Sequence, residues 1–219
     1  MRLVHPASRG FTLVELSIVL VIIGLIIGGV LTGQQIIQNA RITRTINDMQ
    51  AYQAQFQTYA QNYGALPGDD LSASTRFPSA GVTSGGGDGL VGTGSSYDTP
   101  STTPPAGESR LVWAHLRAAG LVKNQVTGGS TAVQPPNPFS GVYGFQNGAF
   151  GGEFATTVLC LNKLPGNAAQ AVDARLDDGT SNAGAIQATA ETGSDPGSSG
   201  GAVATSYSDD TTYTLCMRI

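Results

Sequence analysis

The side chains able to do chemistry are few and poorly spaced for catalysis. Only two histidines occur, His5 and His115, so neither a Ser-His-Asp triad nor a paired histidine–cysteine zinc site can be assembled from the sequence. The G-x-S-x-G motif is absent, and the glycine-rich run GGGDG is followed by LVG rather than by Lys-Ser, which argues against a phosphate cradle. We therefore predict that the chain is not an enzyme and that His115 is a structural or surface histidine.

Carboxylates offer the other candidate chemistry. They cluster in three places: Asp69 with Asp70, Asp173 with Asp177 and Asp178, and Asp209 with Asp210. Oxygen-rich loops suit calcium, and Asp177 and Asp178 in the run DDGTSN are its best candidate ligands. That run does not follow the EF-hand pattern ending in Glu, so the default expectation is that these aspartates serve turns and helix ends. No cofactor is otherwise expected.

An apolar run from Phe11 to Leu31 is the strongest element signal in the chain. Its 21 residues include one charge, Glu15. As a helix the run is about 31 Å long, close to the hydrocarbon thickness of a bilayer. A carboxylate inside such a span costs about 3 kcal/mol on insertion scales, which suggests a partner for it. Arg2 and Arg9 precede the span, so the positive-inside rule places the leader in the cytoplasm and the remainder outside.

The order of glycine and apolar span excludes an ordinary secretory signal, because such a signal is cut after its apolar region. Here Gly10 precedes the span, within the sequence RGFTLVE at 9–15. This junction resembles the type III signal of type IV prepilins and type II secretion pseudopilins, over about residues 9–31. The resemblance implies that a membrane prepilin peptidase cuts between Gly10 and Phe11 and N-methylates Phe11. It also implies that Glu15 pairs with the N-terminal amine of a neighbouring subunit; the alternative is a plain anchor whose carboxylate reaches the near interface.

The function implied by this resemblance is that of a structural subunit in a type IV pilus-like filament, serving adhesion, motility, DNA uptake or secretion. Alternatives are a type II secretion pseudopilin, a low-copy minor pilin with an adhesive head, and a membrane-anchored receptor or enzyme. The implied partners are copies of the chain or related subunits, the peptidase, the inner membrane and the assembly machinery. The implied location is the inner membrane, then an extracellular pilus or a periplasmic pseudopilus.

Charge and composition fit an external surface. Charged residues are 12% of the chain, about half of the usual ~25%. Its 11 basic and 15 acidic side chains give a net charge of −4, which becomes −6 if Arg2 and Arg9 leave with the leader. Phosphate contacts need Lys and Arg, so nucleic acid is an unlikely partner.

The predicted architecture is α+β and pilin-like: a long N-terminal helix on a small antiparallel sheet. We divide the chain into a leader (1–10), a membrane or fibre-core helix (11–33), an amphipathic continuation (34–63) and a head (64–219). Apolar residues recur at helical spacing in the continuation: Ile42, Ile46, Met49, Phe56, Ala60 and Tyr63. Gly64 is the predicted C-cap and Pro67 the stop.

Glycines in the first helix form two GxxxG pairs, Gly24 with Gly28 and Gly29 with Gly33. This spacing allows close helix approach in lipid, although membrane helices are also rich in glycine generally.

Within the head, turn residues dominate 64–107, where LPGDD and GGGDG are expected turns. A helix is predicted over 108–122, ending at Gly120, with Trp113 as a packing anchor. Strands are predicted over 142–147, 153–162 and 211–218. A second helix is predicted over 166–178, with Asn167 as N-cap, and a flexible loop over 193–206.

The chain has two cysteines, Cys160 and Cys216. An even pair in an oxidising compartment favours a disulfide, here between the last strand and a central one; the alternative is two separate buried thiols. A C-terminal region closed in this way also resembles the layout of the pilin head.

Overall fold

The computed structural model describes residues 10–92, 97, 107–123, 133–191 and 201–219. The leader before Gly10 and most of the predicted loop at 193–206 lie outside them. The described helices and strands are α1 (Leu13–Tyr63), α2 (Ala73–Arg76), α3 (Glu108–Ala118), β1 (Tyr143–Ala149), β2 (Phe154–Pro165), α4 (Gly166–Leu176), β3 (Ile186–Ala190) and β4 (Thr212–Arg218). The predicted α+β class is confirmed. The chain divides into two units, Met1–Ala40 and Arg41–Ile219, and α1 contributes to both.

The part of α1 that belongs to the second unit is amphipathic. Its buried residues alternate at spacings of three and four: Ile42, Thr45, Met49, Tyr52, Phe56 and Tyr59. This is the stripe by which a helix packs on a core. Tyr52 meets the ring of Trp113 at 4.9 Å between centroids, and Phe56 stacks on Phe145 at 4.8 Å. Trp113 is fully buried, so its predicted role as a packing anchor is confirmed.

α1 ends where the sequence predicts. Gly64 follows the last helical residue with φ +66°, and its N–H donates to the carbonyl of Ala60 at 2.9 Å. α3 also ends in a glycine motif, although at Ala118 rather than at 122. Gly120 has φ +72°, its N–H donates to Arg117 O, and the N–H of Leu121 donates to Leu116 O. These two bonds form a Schellman motif, which stops the helix before Leu121.

The sheet has four antiparallel strands in the order β1-β2-β4-β3. The last strand of the chain therefore lies inside the sheet. Alternate residues face opposite sides: Leu159 and Leu161 join the main core with α1, whereas Val158 and Cys160 join a second apolar cluster. Cys160 lies opposite Cys216 in the β2–β4 register and is bonded to it, so the predicted disulfide is present.

The structure corrects two sequence interpretations. The strand β3 was not predicted, because its sequence IQATA is short and rich in alanine, which is a weak strand former. The predicted N-cap Asn167 is wrong: α4 begins at Gly166, with Pro165 at the cap position and no side-chain cap bond. The N–H of Gly166 instead donates to the carbonyl of Thr211 at 3.0 Å, so a tertiary contact replaces the local cap.

Candidate functional site

The start of α1 is closed by a reciprocal pair of side-chain bonds. The hydroxyl oxygen of Thr12 accepts from the N–H of Glu15 at 3.2 Å. In return, Oε2 of Glu15 accepts from the N–H of Thr12 at 2.8 Å and from its hydroxyl at 2.9 Å. This is a capping box, which satisfies N–H groups that a helix start leaves unpaired. The single charge of the apolar run is therefore engaged with its own helix start.

Gly10 and Phe11 lie just outside that helix. Both residues precede the first helical residue, Leu13, and are not part of a helix or strand. Both are exposed, the side chain of Phe11 by 83%. The peptide bond between them is therefore not held within the hydrogen-bond ladder of α1. The assignment of cleavage and methylation to these two residues stays a prediction.

The first unit exposes an apolar helical surface. α1 contains an 18-residue apolar window, none of it buried, that by length and composition is able to cross a membrane. The exposed large apolar side chains of this unit extend from Phe11 to Ile37. In the described part of the second unit, Leu71 is the large apolar side chain that is exposed. Such a continuous surface in water is a strong sign of a membrane or protein partner.

The glycines of this surface are open. A Cβ built at Gly24, Gly28, Gly29 or Gly33 meets no atom within 4 Å. Nothing within the described chain thus requires glycine there. The spacing leaves room for another helix to approach, as the sequence predicted, and ordinary glycine enrichment in membrane helices remains the alternative.

In the second unit, two buried carboxylates hold the glycine-rich loop. Asp69 accepts from the backbone N–H groups of Gly87, Asp88 and Gly89. Glu108, at the start of α3, accepts from Gly86 at 2.7 Å and from Gly92 at 3.0 Å. The two predicted turns, LPGDD and GGGDG, are thus bound to each other.

Asp69, Asp88 and Glu108 lie close enough to share a cation, with one oxygen of each within 4.8 Å of the others. Burial raises the pKa of Glu108, and the N–H groups of Gly92 and Gly86 counter part of that rise. Because Asp69 and Glu108 already accept these backbone donors, the geometry is accounted for by loop anchoring.

The predicted calcium candidates form a second such group with Asp173. Asp177 accepts from the N–H of Ile186 at 2.9 Å, and Asp178 accepts from that of Thr180 at 2.8 Å. Asp173 is buried, accepts from the hydroxyl of Tyr207 at 2.7 Å, and has a pKa raised chiefly by burial. These are the turn and helix-end bonds expected by default; calcium binding here stays a prediction.

His115 is buried on α3, and each of its two ring nitrogens contacts a backbone group. Its Nδ1 accepts from the N–H of Gly68 at 2.9 Å, and its Nε2 lies 2.8 Å from the carbonyl oxygen of Thr83. The expected structural role is therefore observed, although these two partners could not be predicted from the sequence.

Comparison with known proteins identifies the N-terminus. Residues 6–31 match the family model described as the prokaryotic N-terminal methylation motif. No curated protein and no solved structure matched the chain. This motif marks the prepilin-type cleavage motif of type IV pilins and pseudopilins, and the chain carries the motif.

One residue of this site, Thr12, was not predicted from the sequence. Thr12 caps α1, and the spacing Thr-x-x-Glu immediately before an apolar run is a local signal for a capping box. The carboxylate of Glu15 is thus a hydrogen-bond acceptor as well as a charge.

Proposed function

We propose that the chain is a structural subunit of a type IV pilus-like filament, cut between Gly10 and Phe11, methylated at Phe11 and assembled through its N-terminal helix. The observation that carries the proposal is the exposed apolar surface of α1, which begins within the matched motif and contains one carboxylate. A membrane can cover this surface before assembly, and neighbouring helices can cover it afterwards.

The charge arrangement supports assembly through the helix starts. Cleavage would give Phe11 a cationic amine close to the carboxylate of Glu15. In lipid, a charge without a partner is costly, and two opposite charges at low dielectric attract strongly. A neighbouring subunit's amine would thus compete with the Thr12 bonds for the carboxylate, and the apolar surfaces would pack around the pair.

The type II secretion pseudopilin is the second candidate, because the matched motif is common to both classes. The long glycine-rich head with its late disulfide inclines us to a pilin. The run PPNPFSG at 135–141, which loosely resembles a pseudopilin segment, forms a turn around Asn137, whose side-chain oxygen accepts from Phe139 and Gly141.

The decisive experiment is the intact mass of the unreduced protein in sheared surface material and in membranes. A mass of residues 11–219 plus one methyl group and minus two hydrogens, found in sheared material, would support the filament. The same mass found in membranes alone would favour the pseudopilin or a scarce subunit. An uncut mass would overturn the proposal.

The cleavage site has its own test. Gly10→Ala is expected to leave uncut precursor in the membrane, whereas Gly24→Ala, a matched change inside the helix, should be cut normally. Product of normal size from Gly10→Ala would refute the assigned bond.

A further inference from the structure

The 64–84 segment, which follows α1, is held to α3 by the ring of one fully buried histidine. A carbonyl oxygen can only accept, so the 2.8 Å contact with Thr83 requires the proton of His115 to be on Nε2. Nδ1 is then the acceptor for the N–H of Gly68. Both ring nitrogens are used by backbone groups from the two ends of the same segment, and the ring that satisfies them is neutral.

The contact at Gly68 has little room to adjust. A Cβ at this residue would lie 2.7 Å from the carbonyl oxygen of Glu108 and 2.8 Å from a methyl carbon of Val112, and its φ is +96°. The backbone of the segment therefore lies directly on α3. Its N–H cannot turn to another acceptor unless the turn moves away from the helix.

The charged surroundings of the ring are sparse. From α1, the ring of Tyr59 stacks on it with centroids 6.1 Å apart; burial raises the pKa of that phenol, which stays neutral. From the segment come Asp70, which favours the charged ring, and Arg76, which opposes it. α3 itself carries Glu108, Arg110 and Arg117, and the packed strand β1 has no acidic or basic side chain.

We propose that His115 is an acid-sensitive latch that holds the 64–84 segment on α3 while the ring is neutral and releases it when the ring takes up a second proton. The second proton would be on Nδ1, where it would face the N–H of Gly68, so a hydrogen bond would become a contact between two donors. A buried cation is also costly, and moving the segment away lets water reach the ring.

The direction of the pH response follows from burial. Burial is the main cause that lowers the pKa of His115 below the ordinary value of about 6.5. The stabilisation is therefore complete above about pH 6.5 and is lost as the pH falls towards the lowered pKa. For each unit by which the pKa of His115 is lowered, protonation can reduce the hydrogen-exchange protection of the 64–84 segment by up to about tenfold. The two residues bonded to the ring, Gly68 and Thr83, are outside the sheet, so we expect the sheet and its disulfide to be unaffected.

The experiment uses the full chain in detergent micelles, with His5→Gln so that His115 is the one histidine. Nitrogen NMR of 15N-histidine reports the tautomer and the pKa, and hydrogen exchange from pH 7.5 to 4.5, corrected for intrinsic rates, reports the protection of peptides within 64–84 and 154–165. We expect the Nε2–H tautomer at pH 7.5. Exchange of 64–84 should rise with the same midpoint as ring protonation, while 154–165 stays protected.

Two variants sharpen the test. His115→Gln cannot be charged, so exchange of 64–84 should be independent of pH, even if it is faster throughout. Asp70→Asn removes an anion that favours the charged ring, so the response should persist with its midpoint at lower pH. Two results would overturn the proposal. One is that, with His115 present, exchange of 64–84 does not follow ring protonation. The other is a full acid response in a folded His115→Gln variant. If the His115→Gln variant does not fold, the test is decided by comparing exchange with ring protonation in the protein that retains His115.

Discussion

Glu15 has two uses that a single variant cannot separate. In the described chain its carboxylate caps α1 through Thr12, whereas the proposed assembly step needs its charge. Glutamine retains the hydrogen-bonding shape of a capping box but has no charge. A pair of variants at this one position can therefore distinguish the cap from the charge.

We predict that Glu15→Ala is cut normally but assembles poorly, and that Glu15→Gln assembles as poorly. The charge needed by the neighbouring amine is absent from both, although Gln preserves the cap. The measurement is the ratio of sheared to membrane-bound protein after processing. Fibres of Glu15→Gln at wild-type abundance would refute charge pairing and leave capping as the role of the side chain.

Replacing Gly68 should be costly, because this glycine combines a positive φ with a close approach to the backbone of α3. We predict that Gly68→Ala lowers the free energy of unfolding by about 2–4 kcal/mol, through backbone strain and overpacking. Gly64→Ala is the matched control, since its φ is also positive but its Cβ would meet open space. It should cost about 1 kcal/mol. Equal losses in chemical denaturation would contradict the packing argument.

Among the elements, the disulfide is the covalent tie within the sheet. It joins directly opposed residues of the two inner strands, which are separated by 56 positions in sequence. In the chain-entropy model a loop of that length contributes about 4 kcal/mol. Thermal unfolding of the double variant Cys160→Ser and Cys216→Ser should show a correspondingly lower Tm, and reduction of the native protein should do the same. An unchanged Tm would show that the β2–β4 pairing is sufficient without the bond.

The sequence predicted elements whose signals are local. Uninterrupted helical spacing predicted α1, and Gly64 predicted its end. Runs of β-branched and aromatic residues predicted three of the strands. It missed β3, whose alanines become a strand by pairing with β4, and it misplaced the cap of α4, where a distant carbonyl substitutes for a side chain.

The same division holds for the candidate site. Gly10, Phe11 and Glu15 were found because their motif is contiguous. The loop held by Asp69 and Glu108, and the two partners of His115, could not be predicted, because each contact joins residues far apart in sequence. Thr12 is different, because the Thr-x-x-Glu signal for its capping role is local and could have been used.

For the whole molecule, the division at Ala40 and Arg41 predicts independent folding of the second unit. The described apolar core begins at Ile42, and the exposed apolar helix surface ends at Ile37. A chain that begins at Arg41 should therefore be soluble and unfold cooperatively, with the disulfide formed. Aggregation, or a transition without cooperativity, would show that the first unit is needed for the fold.

Both outer edges of the sheet are covered by the chain itself. At β1, the N–H of Asn147 donates to Val91 O and that of Tyr143 donates to Pro135 O; at β3, the N–H of Ala204 donates to Ala188 O. An open edge is a template for another strand. At these described edges, crowded copies of the head therefore meet an interrupted backbone ladder rather than the free one from which cross-β stacking starts. We therefore expect identical heads held at high local concentration to separate again as intact folded units.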